Sequence, residues 1–272
     1  MKIVKEIDQN ILNDEICLIP TMGALHEGHL SLIKKGKEFG LLTMVTIFIN
    51  ELQFDSKEDF NKYPRTYDED IKIISKLKVD VVFIPQKDEI YSKNFSTSIV
   101  EEILSPKIEG ASRPNFFGGV LTVVSLLFNI VKPNRAYFGE KDLQQLMVVK
   151  KMVADLKYPI QIISVKTVRE QSGLAISSRN QYLNQQEKEE AKIIYTCLVE
   201  AKEKILCNTQ IKTIKHEMIA VLQSKKMKVD YISFVKLDSF EELNDSVVYP
   251  LAICIAVWYK KVRLIDNIII TK

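Results

Sequence analysis

Cysteine, histidine and long hydrophobic runs are all scarce in this chain of 272 residues. The four cysteines form no C-x-x-C pair, so the sequence predicts neither a zinc site nor a disulfide framework, and we expect reduced thiols in a cytoplasmic protein. The longest apolar runs, Leu41–Ile49 and Leu251–Trp258, are far shorter than the ~20 residues of a membrane span. Residues 1–15 mix lysine with acidic residues, and we expect no signal peptide.

The chain also lacks an excess of charge of either sign, since it has 38 lysines and arginines and 35 acidic residues. No basic stripe is interleaved with aromatic residues, so we expect no nucleic-acid binding. Almost all the basic residues are lysines, and only six arginines occur. This scarcity suggests that arginine stands where a planar, bidentate donor is needed.

Apolar, β-branched runs alternate with stretches of helical period as far as residue 165. This alternation predicts a Rossmann-like α/β fold, a doubly wound parallel sheet with helices on both faces. The predicted strands are Ile16–Ile19, Leu42–Ile49, Val79–Ile84, Arg135–Phe138 and Ile160–Val165, and the predicted helices are Leu30–Phe39, Tyr67–Lys76, Gly118–Val131 and Asp142–Asp155.

The pattern changes after residue 167, which predicts a first domain over 1–167 and a smaller α+β domain over 168–272. Two charged amphipathic helices come first in the second domain, and strands follow them. The predicted helices are Asn184–Ile205 and Lys212–Lys225, and the predicted strands are Val229–Val235, Ala252–Trp258, Val262–Ile265 and Ile268–Ile270.

Two of the three histidines, His26 and His29, lie three residues apart directly after the first apolar run. If a helix begins near His26, this spacing places both imidazoles on one face of its first turn. The unpaired N–H groups and the positive dipole end of a helix favour a phosphate there, and Gly28 leaves room for it between the rings. The pattern resembles the H-x-G-H motif of nucleotidyltransferases that act on the α-phosphate of ATP. The alternative is a helix start without a chemical role.

Polar loops follow two further strands, and ligands of such sheets bind where strand ends meet. Asn50 and Gln53 bring amides that recognise hydroxyl and carboxylate groups, although Asn50 could equally cap a turn. Lys141 could neutralise phosphate and Asp142 could hold Mg²⁺, or the pair could belong to a capped surface helix.

The hydroxyl-rich loop around Ser177 and Ser178 carries Arg179, and this combination suits triphosphate oxygens. By itself the same loop also fits an ordinary turn. His216 stands alone in a charged helix, and we expect it at the surface.

Seven segments in order resemble the pantothenate synthetases, also called pantoate–β-alanine ligases, over nearly the whole chain. The resemblance implies ATP-dependent condensation of (R)-pantoate with β-alanine through a pantoyl adenylate, with release of pyrophosphate and AMP. It also implies Mg²⁺, small-molecule substrates rather than nucleic acid or membrane, and a cytoplasmic homodimer. The segments are Pro20–His29, Phe48–Phe54, Tyr63–Thr66, Arg113–Asn129, Tyr137–Leu146, Val168–Leu183 and Arg263–Asn267.

The resemblance also implies roles for individual residues. Gln53, Gln145 and Asn50 are expected on the pantoate side, with Gln53 also near β-alanine, and Asp142 near Mg²⁺. The smaller domain is expected to act as a lid that excludes water from the adenylate. His26, His29, Lys141 and Arg179 are implied as catalytic, with His29 as proton donor. The implied ATP-binding residues are Met22, Gly23, Ala24, Leu25, His26, Glu27, Gly28, His29, Gly139, Glu140, Lys141, Asp142, Val168, Ile176, Ser177, Ser178 and Arg179.

Other functions of the H-x-G-H motif remain as alternatives. An adenylyltransferase for a phosphorylated acceptor should offer several cations to that acceptor, whereas the amides here favour a small hydroxy acid. A class I aminoacyl-tRNA synthetase should carry a basic extension, and a nucleotide sensor would bind ATP without turnover. Glu51 stands where the family usually has proline, and we expect its carboxylate to face solvent.

Overall fold

A computed structural model describes residues 1–8 and 10–272, except for the side chain of residue 59. The chain forms two compact units. Unit 1 comprises Met1–Glu140 and Gln144–Lys166, and unit 2 comprises Lys141–Leu143 and Thr167–Lys272. Within the described residues, no helix is both long and apolar enough to cross a membrane.

The sheet of unit 1 is entirely parallel. Its strands are β1 (Lys2–Val4), β2 (Ile16–Thr21), β3 (Leu42–Ile47), β4 (Val81–Phe83), β5 (Arg135–Gly139) and β6 (Gln161–Val165). They lie in the order β1–β4–β3–β2–β5–β6. The chain builds outward from β2 in one direction through β3 and β4, and then returns to add β5 and β6 on the other side. The strand order therefore reverses between β2 and β5, where open α/β sheets bind ligands at the carboxyl ends of the strands.

Helices connect these strands and cover them, and the burial of the strands explains the apolar runs of the sequence. They are α1 (Glu27–Lys37), α2 (Lys57–Lys62), α3 (Tyr67–Lys76), α4 (Lys87–Ile90), α5 (Glu109–Ser112), α6 (Phe116–Val131) and α7 (Leu143–Asp155). Residues 16–19 of β2 are completely buried, as expected for a parallel strand covered on both faces.

Helix α6 approaches the loop after β3 very closely at Gly119. A Cβ atom at this position would lie 2.3 Å from the carbonyl oxygen of Leu52, well inside van der Waals contact. Only glycine therefore allows this approach, which fixes the position of the loop at residues 50–53.

Unit 2 is a smaller α+β structure. Its helices are α8 (Gln185–Ala191), α9 (Ile193–Leu206) and α10 (Ile211–Ser224), and its antiparallel strands are β7 (Lys228–Lys236), β8 (Leu251–Tyr259) and β9 (Val262–Ile270). Apolar side chains of α9, α10 and the three strands share one buried core.

The predicted fold class is confirmed, with several local differences. The short helices α2, α4 and α5 were not predicted. Strand β1 was not predicted, because three residues at a sheet edge give too weak a pattern. The predicted helix Asn184–Ile205 is two helices that meet at Lys192. The predicted strands Val262–Ile265 and Ile268–Ile270 form one strand, because the polar residues between them are buried in hydrogen bonds rather than exposed in a turn.

Candidate active site

The turn between β2 and α1 is held by a buried carboxylate from α3. Gly23 and Ala24 both adopt positive φ angles, of 76° and 50°. Asp70 is 2% exposed, and its two carboxylate oxygens accept the N–H groups of Ala24 at 2.9 Å and Leu25 at 2.8 Å. The hydroxyl of Thr66 donates to the same carboxylate at 3.2 Å. Asp70 therefore fixes the segment that leads into the H-x-G-H motif.

His26 and His29 cap the first turn of α1 reciprocally, and the predicted helix start near His26 is confirmed. The Nδ1 atom of His26 accepts the N–H of Gly28 at 3.2 Å, and the Nδ1 atom of His29 accepts the N–H of His26 at 3.4 Å. The half-buried rings lie with their centroids 4.1 Å apart. Because a backbone N–H can only donate, the Nδ1 atom of each ring is an acceptor here, and the N–H of each ring lies on Nε2. Each Nε2–H is a donor suited to an anionic oxygen.

The loop after β3 contains a closed hydrogen-bond network around Asn50, which is 1% exposed. Its Nδ2 donates to the Oε1 of Gln53 and to the carbonyl of Gly119, both at 3.0 Å. Its Oδ1 accepts the N–H of Leu52 at 3.3 Å and the hydroxyl of Tyr91 at 2.7 Å. Asn50 thus caps the short turn Glu51–Gln53, as the alternative interpretation of this residue predicted.

Gln53 links this network to the loop after β2. Its Nε2 lies 3.0 Å from the Sδ of Met22, which brings the two loops into contact. Its carbonyl oxygen accepts a hydrogen bond at 3.1 Å from Arg113, a buried guanidinium that also pairs with Asp55 at 2.6 Å. Both ends of Gln53 are therefore held by other residues of unit 1.

Glu51 is exposed, which confirms the prediction that it faces solvent. Its carboxylate pairs with the Nζ of Lys87 at 2.6 Å. Burial raises the pKa of Tyr91 above its usual range, and the negative charge of Glu51 raises it further. The Tyr91 hydroxyl therefore stays protonated and can donate to Asn50 at any ordinary pH.

Strand β5 ends at Gly139, and Glu140 follows it. Gln144 and Gln145 come next in unit 1, but they differ in their surroundings. Gln144 is buried, and its amide bonds the N–H of Glu109 at 3.0 Å and two backbone carbonyls at 2.7 and 2.8 Å. Gln145 is only half-buried. Of the two, Gln145 is the one whose surroundings suit contact with a substrate.

Within unit 2, the segment with Lys141 and Asp142 is attached to β9. The carbonyl of Lys141 accepts a hydrogen bond from the Nδ2 of Asn267 at 2.9 Å. The Nζ of Lys141 lies 3.4 Å from the Oδ1 of Asp142, whose side chain is 44% exposed. Among the described residues, no group of three or more His, Cys, Asp or Glu could hold a metal alone. A single accessible carboxylate does fit Mg²⁺ that arrives with a nucleotide, because Mg²⁺ is usually held by one or two carboxylates together with phosphates.

The other candidate loop of unit 2 is an anchored turn. The N–H of Ile176 donates to the carbonyl of Val168 at 3.0 Å, so these two residues are neighbours. The Oγ of Ser177 accepts the N–H of Arg179 at 3.2 Å and caps the 3-10 helix Ser178–Tyr182. Val168, Ile176, Ser177, Ser178 and Arg179 are all half-buried.

Arg169 anchors this turn to β9. It binds the carboxylate of Asp266 through two nitrogens at 2.6 and 2.9 Å, and it donates to the carbonyl of Gly173 at 3.1 Å. Its guanidinium carbon lies 3.8 Å from the centroid of the Tyr195 ring. The bidentate use of arginine suggested by its scarcity is confirmed here.

Four features of the site were not predicted: Asp70, Tyr91, Asn267 and the Arg169–Asp266 pair. An acid in the first turn of a helix is interpreted as a partner of the helix dipole, and a tyrosine in a short helix as packing. The position of Asn267 directly after an acidic residue within an apolar strand was the available signal. His216 is exposed, as predicted.

Unit 1 places its candidate residues after the carboxyl ends of β2, β3 and β5, at the reversal of strand order. The parallel six-stranded sheet of unit 1, with a histidine-capped helix start at this place, is of the nucleotidyltransferase-like α/β class. The sequence profile of the family described as "Pantoate-beta-alanine ligase" matches residues 1–269. The chain therefore belongs to the pantoate–β-alanine ligase family, whose reaction is the formation of an amide bond between pantoate and β-alanine.

Individual relatives agree with this membership. A pantothenate synthetase of Thermosipho africanus is 45% identical over 270 residues, covering 98% of this chain and 97% of its own. The crystal structure of pantothenate synthetase from Thermus thermophilus matches with a TM-score of 0.93 and 35% identity over 100% of both chains. The pantoate–β-alanine ligase of Francisella tularensis, complexed with "Beta-gamma ATP" and β-alanine, matches with a TM-score of 0.81 and 35% identity over 99% of this chain and 97% of its own.

Proposed function

We propose that this ligase works in two steps, the first of which consumes ATP. In the first, a pantoate carboxylate oxygen attacks the α-phosphorus of ATP, and the bond to pyrophosphate breaks. In the second, the amine of β-alanine attacks the acyl carbon, loses a proton, and AMP leaves with the bonding electrons. The complex of the Francisella relative with "Beta-gamma ATP" and β-alanine supports ATP and β-alanine as substrates of this reaction.

The observation that carries the proposal is the reciprocal cap of His26 and His29. Attack by a carboxylate on a phosphate brings two anions together, so the site must supply donors to the developing charge. The Nε2–H groups of His26 and His29 donate hydrogen bonds to the α-phosphate region, and His29 occupies the position that the family resemblance implies as proton donor. The N–H groups of the first turn of α1 favour the same anion. Met22–Leu25, Glu27 and Gly28 form the rest of this nucleotide-binding segment.

Neutral amides bind pantoate in this proposal. Gln53 and Gln145 contact its hydroxyl and carboxylate groups, and Gln53 also lies near β-alanine. Asn50 lies on the same side and bonds the Oε1 of Gln53. Amides give directional hydrogen bonds without a fixed charge. This favours an unphosphorylated hydroxy acid over the phosphorylated acceptor of another adenylyltransferase.

Residues 139–142 and the turn of unit 2 bind the nucleotide as well. Gly139 and Glu140 contribute from the end of β5, and Lys141 and Arg179 supply positive charge to the phosphates. Ser177 and Ser178 contribute hydroxyl donors, and Val168 and Ile176 pack near the adenine. Asp142 would hold Mg²⁺, which supplies charge neutralisation to phosphate oxygens.

We also propose three properties from the family resemblance. The functional domains are residues 1–167 and 168–272, the second acting as a lid. The enzyme is a homodimer. It works in the cytoplasm on small molecules, without nucleic acid or membrane.

Replacing Gln53 by alanine tests the pantoate assignment. We expect the KM for pantoate to rise about 10- to 100-fold, the loss typical of a hydrogen bond to a charged group, while the KM for ATP stays within about twofold. Steady-state kinetics with each substrate varied in turn measures both values. Gln86→Ala is the matched control, because Gln86 is an exposed glutamine of the same unit. A rise in the KM for ATP alone would contradict the assignment, because it would indicate that Gln53 contacts ATP rather than pantoate.

A further inference from the structure

The Asn50 amide has no hydrogen-bonding capacity left for a substrate. An asparagine side chain offers two N–H donors and two acceptor lone pairs. Here both donors are used, on Gln53 and on Gly119, and both lone pairs are used, by Leu52 and Tyr91. The residue is also 1% exposed. Asn50 therefore acts on the substrate through a neighbour rather than by contact.

The backbone fixes which way the Asn50 amide points. The carbonyl of Gly119 can only accept and the N–H of Leu52 can only donate, so the Nδ2 and Oδ1 positions cannot be exchanged. With Nδ2 directed at Gln53, the atom of Gln53 that receives it must be Oε1. The NH2 group of Gln53 is consequently directed the other way, towards Met22, whose thioether is only a weak acceptor.

Tyr91 occupies the second lone pair of Asn50 from a different element, α4 and its C-terminal end. It is 8% exposed, and its hydroxyl stays protonated as described above. A donor with a fixed proton is what the Asn50 oxygen requires here. The chain of contacts thus runs from Tyr91 through Asn50 to Gln53, entirely within unit 1.

We propose that Tyr91 and Asn50 are positioning residues that orient the Gln53 amide with its NH2 group, rather than its oxygen, towards the substrate. A substrate oxygen, from the pantoate carboxylate or a pantoate hydroxyl, then accepts from Gln53 Nε2. This arrangement selects an acceptor oxygen and disfavours a ligand that presents a donor at the same place. The inference rests on the proposed role of Gln53 and adds the direction of its amide.

Tyr91→Phe tests the proposal, because it removes one hydroxyl and leaves the ring. We expect the KM for pantoate to rise about fivefold, as for one lost hydrogen bond, with the KM for ATP within about twofold of wild type. Tyr158→Phe is the matched control, since it removes a hydroxyl that bonds Ser125 at 2.7 Å elsewhere in the unit. We expect Tyr158→Phe to lower the Tm about as much as Tyr91→Phe does, and to leave the pantoate KM unchanged.

A double-mutant cycle separates positioning from a general structural role. If Tyr91 acts through Gln53, adding Tyr91→Phe to Gln53→Ala changes the pantoate KM by less than about twofold. An undiminished fivefold effect in that background overturns the proposal, as does a wild-type pantoate KM in Tyr91→Phe alone. If Tyr91→Phe does not fold, Asn50→Ala replaces it, because it removes the donor to Gln53 Oε1 without adding a charge and should raise the pantoate KM only when Gln53 is present. A wild-type pantoate KM in Gln53→Ala contradicts the proposed role of Gln53, and the inference fails with it.

Discussion

His29→Ala is expected to lower the rate of pantoate-dependent pyrophosphate release by about 10²- to 10³-fold, the loss typical of one donor to developing transition-state charge. The Nε2–H of His29 is assigned to the α-phosphate, and its Nδ1 is already occupied by the N–H of His26. The fold should survive, because the lost cap costs only about 1 kcal/mol. Pre-steady-state measurement of pyrophosphate release with saturating ATP and pantoate gives the rate.

A second variant separates the cap from the chemistry. Glutamine at the third helical position can also bond back to the N-cap N–H, so His29→Gln keeps a capping side chain without the imidazole. We expect wild-type Tm and the same loss of activity. His216→Ala is the control, since this exposed histidine lies on α10. Near-wild-type turnover in His29→Gln would refute a chemical role for His29.

Asp70→Asn is expected to lower kcat/KM for ATP about 10- to 100-fold. The carboxylate accepts three hydrogen bonds, and an amide group in its place would set an NH2 against an N–H or hydroxyl donor of the turn before α1. Leaving such a buried donor unsatisfied costs about 1–3 kcal/mol, part of which we expect to appear as displacement of His26. Kinetics with ATP varied, together with Tm, measures both consequences.

The control for this change lies two residues earlier in the same helix. Asp68 is exposed, and Asp68→Asn makes the same change in charge near the same helix terminus. We expect wild-type kinetics for Asp68→Asn. If Asp70→Asn retains the wild-type kcat/KM for ATP, the turn at residues 23–25 does not depend on this carboxylate.

Short-range patterns made much of unit 1 predictable. Alternating apolar runs and helical periods indicated the parallel sheet, and the spacing of His26 and His29 placed them in the first turn of α1. Both depend on residues close together in the chain, where periodicity is informative.

The supporting contacts were not predictable, because they join distant parts of the chain. Asp70 reaches Ala24 across 46 residues, Tyr91 reaches Asn50 across 41, and Asn267 reaches Lys141 across 126. No local pattern specifies such a partner. The same limit explains β9, where Asp266 looks like a strand break until its pairing with Arg169 is seen.

Central to the proposed mechanism is the activation of pantoate at the α-phosphate of ATP before the amine reacts. The most direct measurement is pyrophosphate release by the wild-type enzyme with ATP, Mg²⁺ and pantoate but no β-alanine, followed by addition of β-alanine. We expect pyrophosphate release that requires pantoate, and AMP with pantothenate only after β-alanine is added. Tight ATP binding without pyrophosphate release in any combination of pantoate and β-alanine would contradict this mechanism.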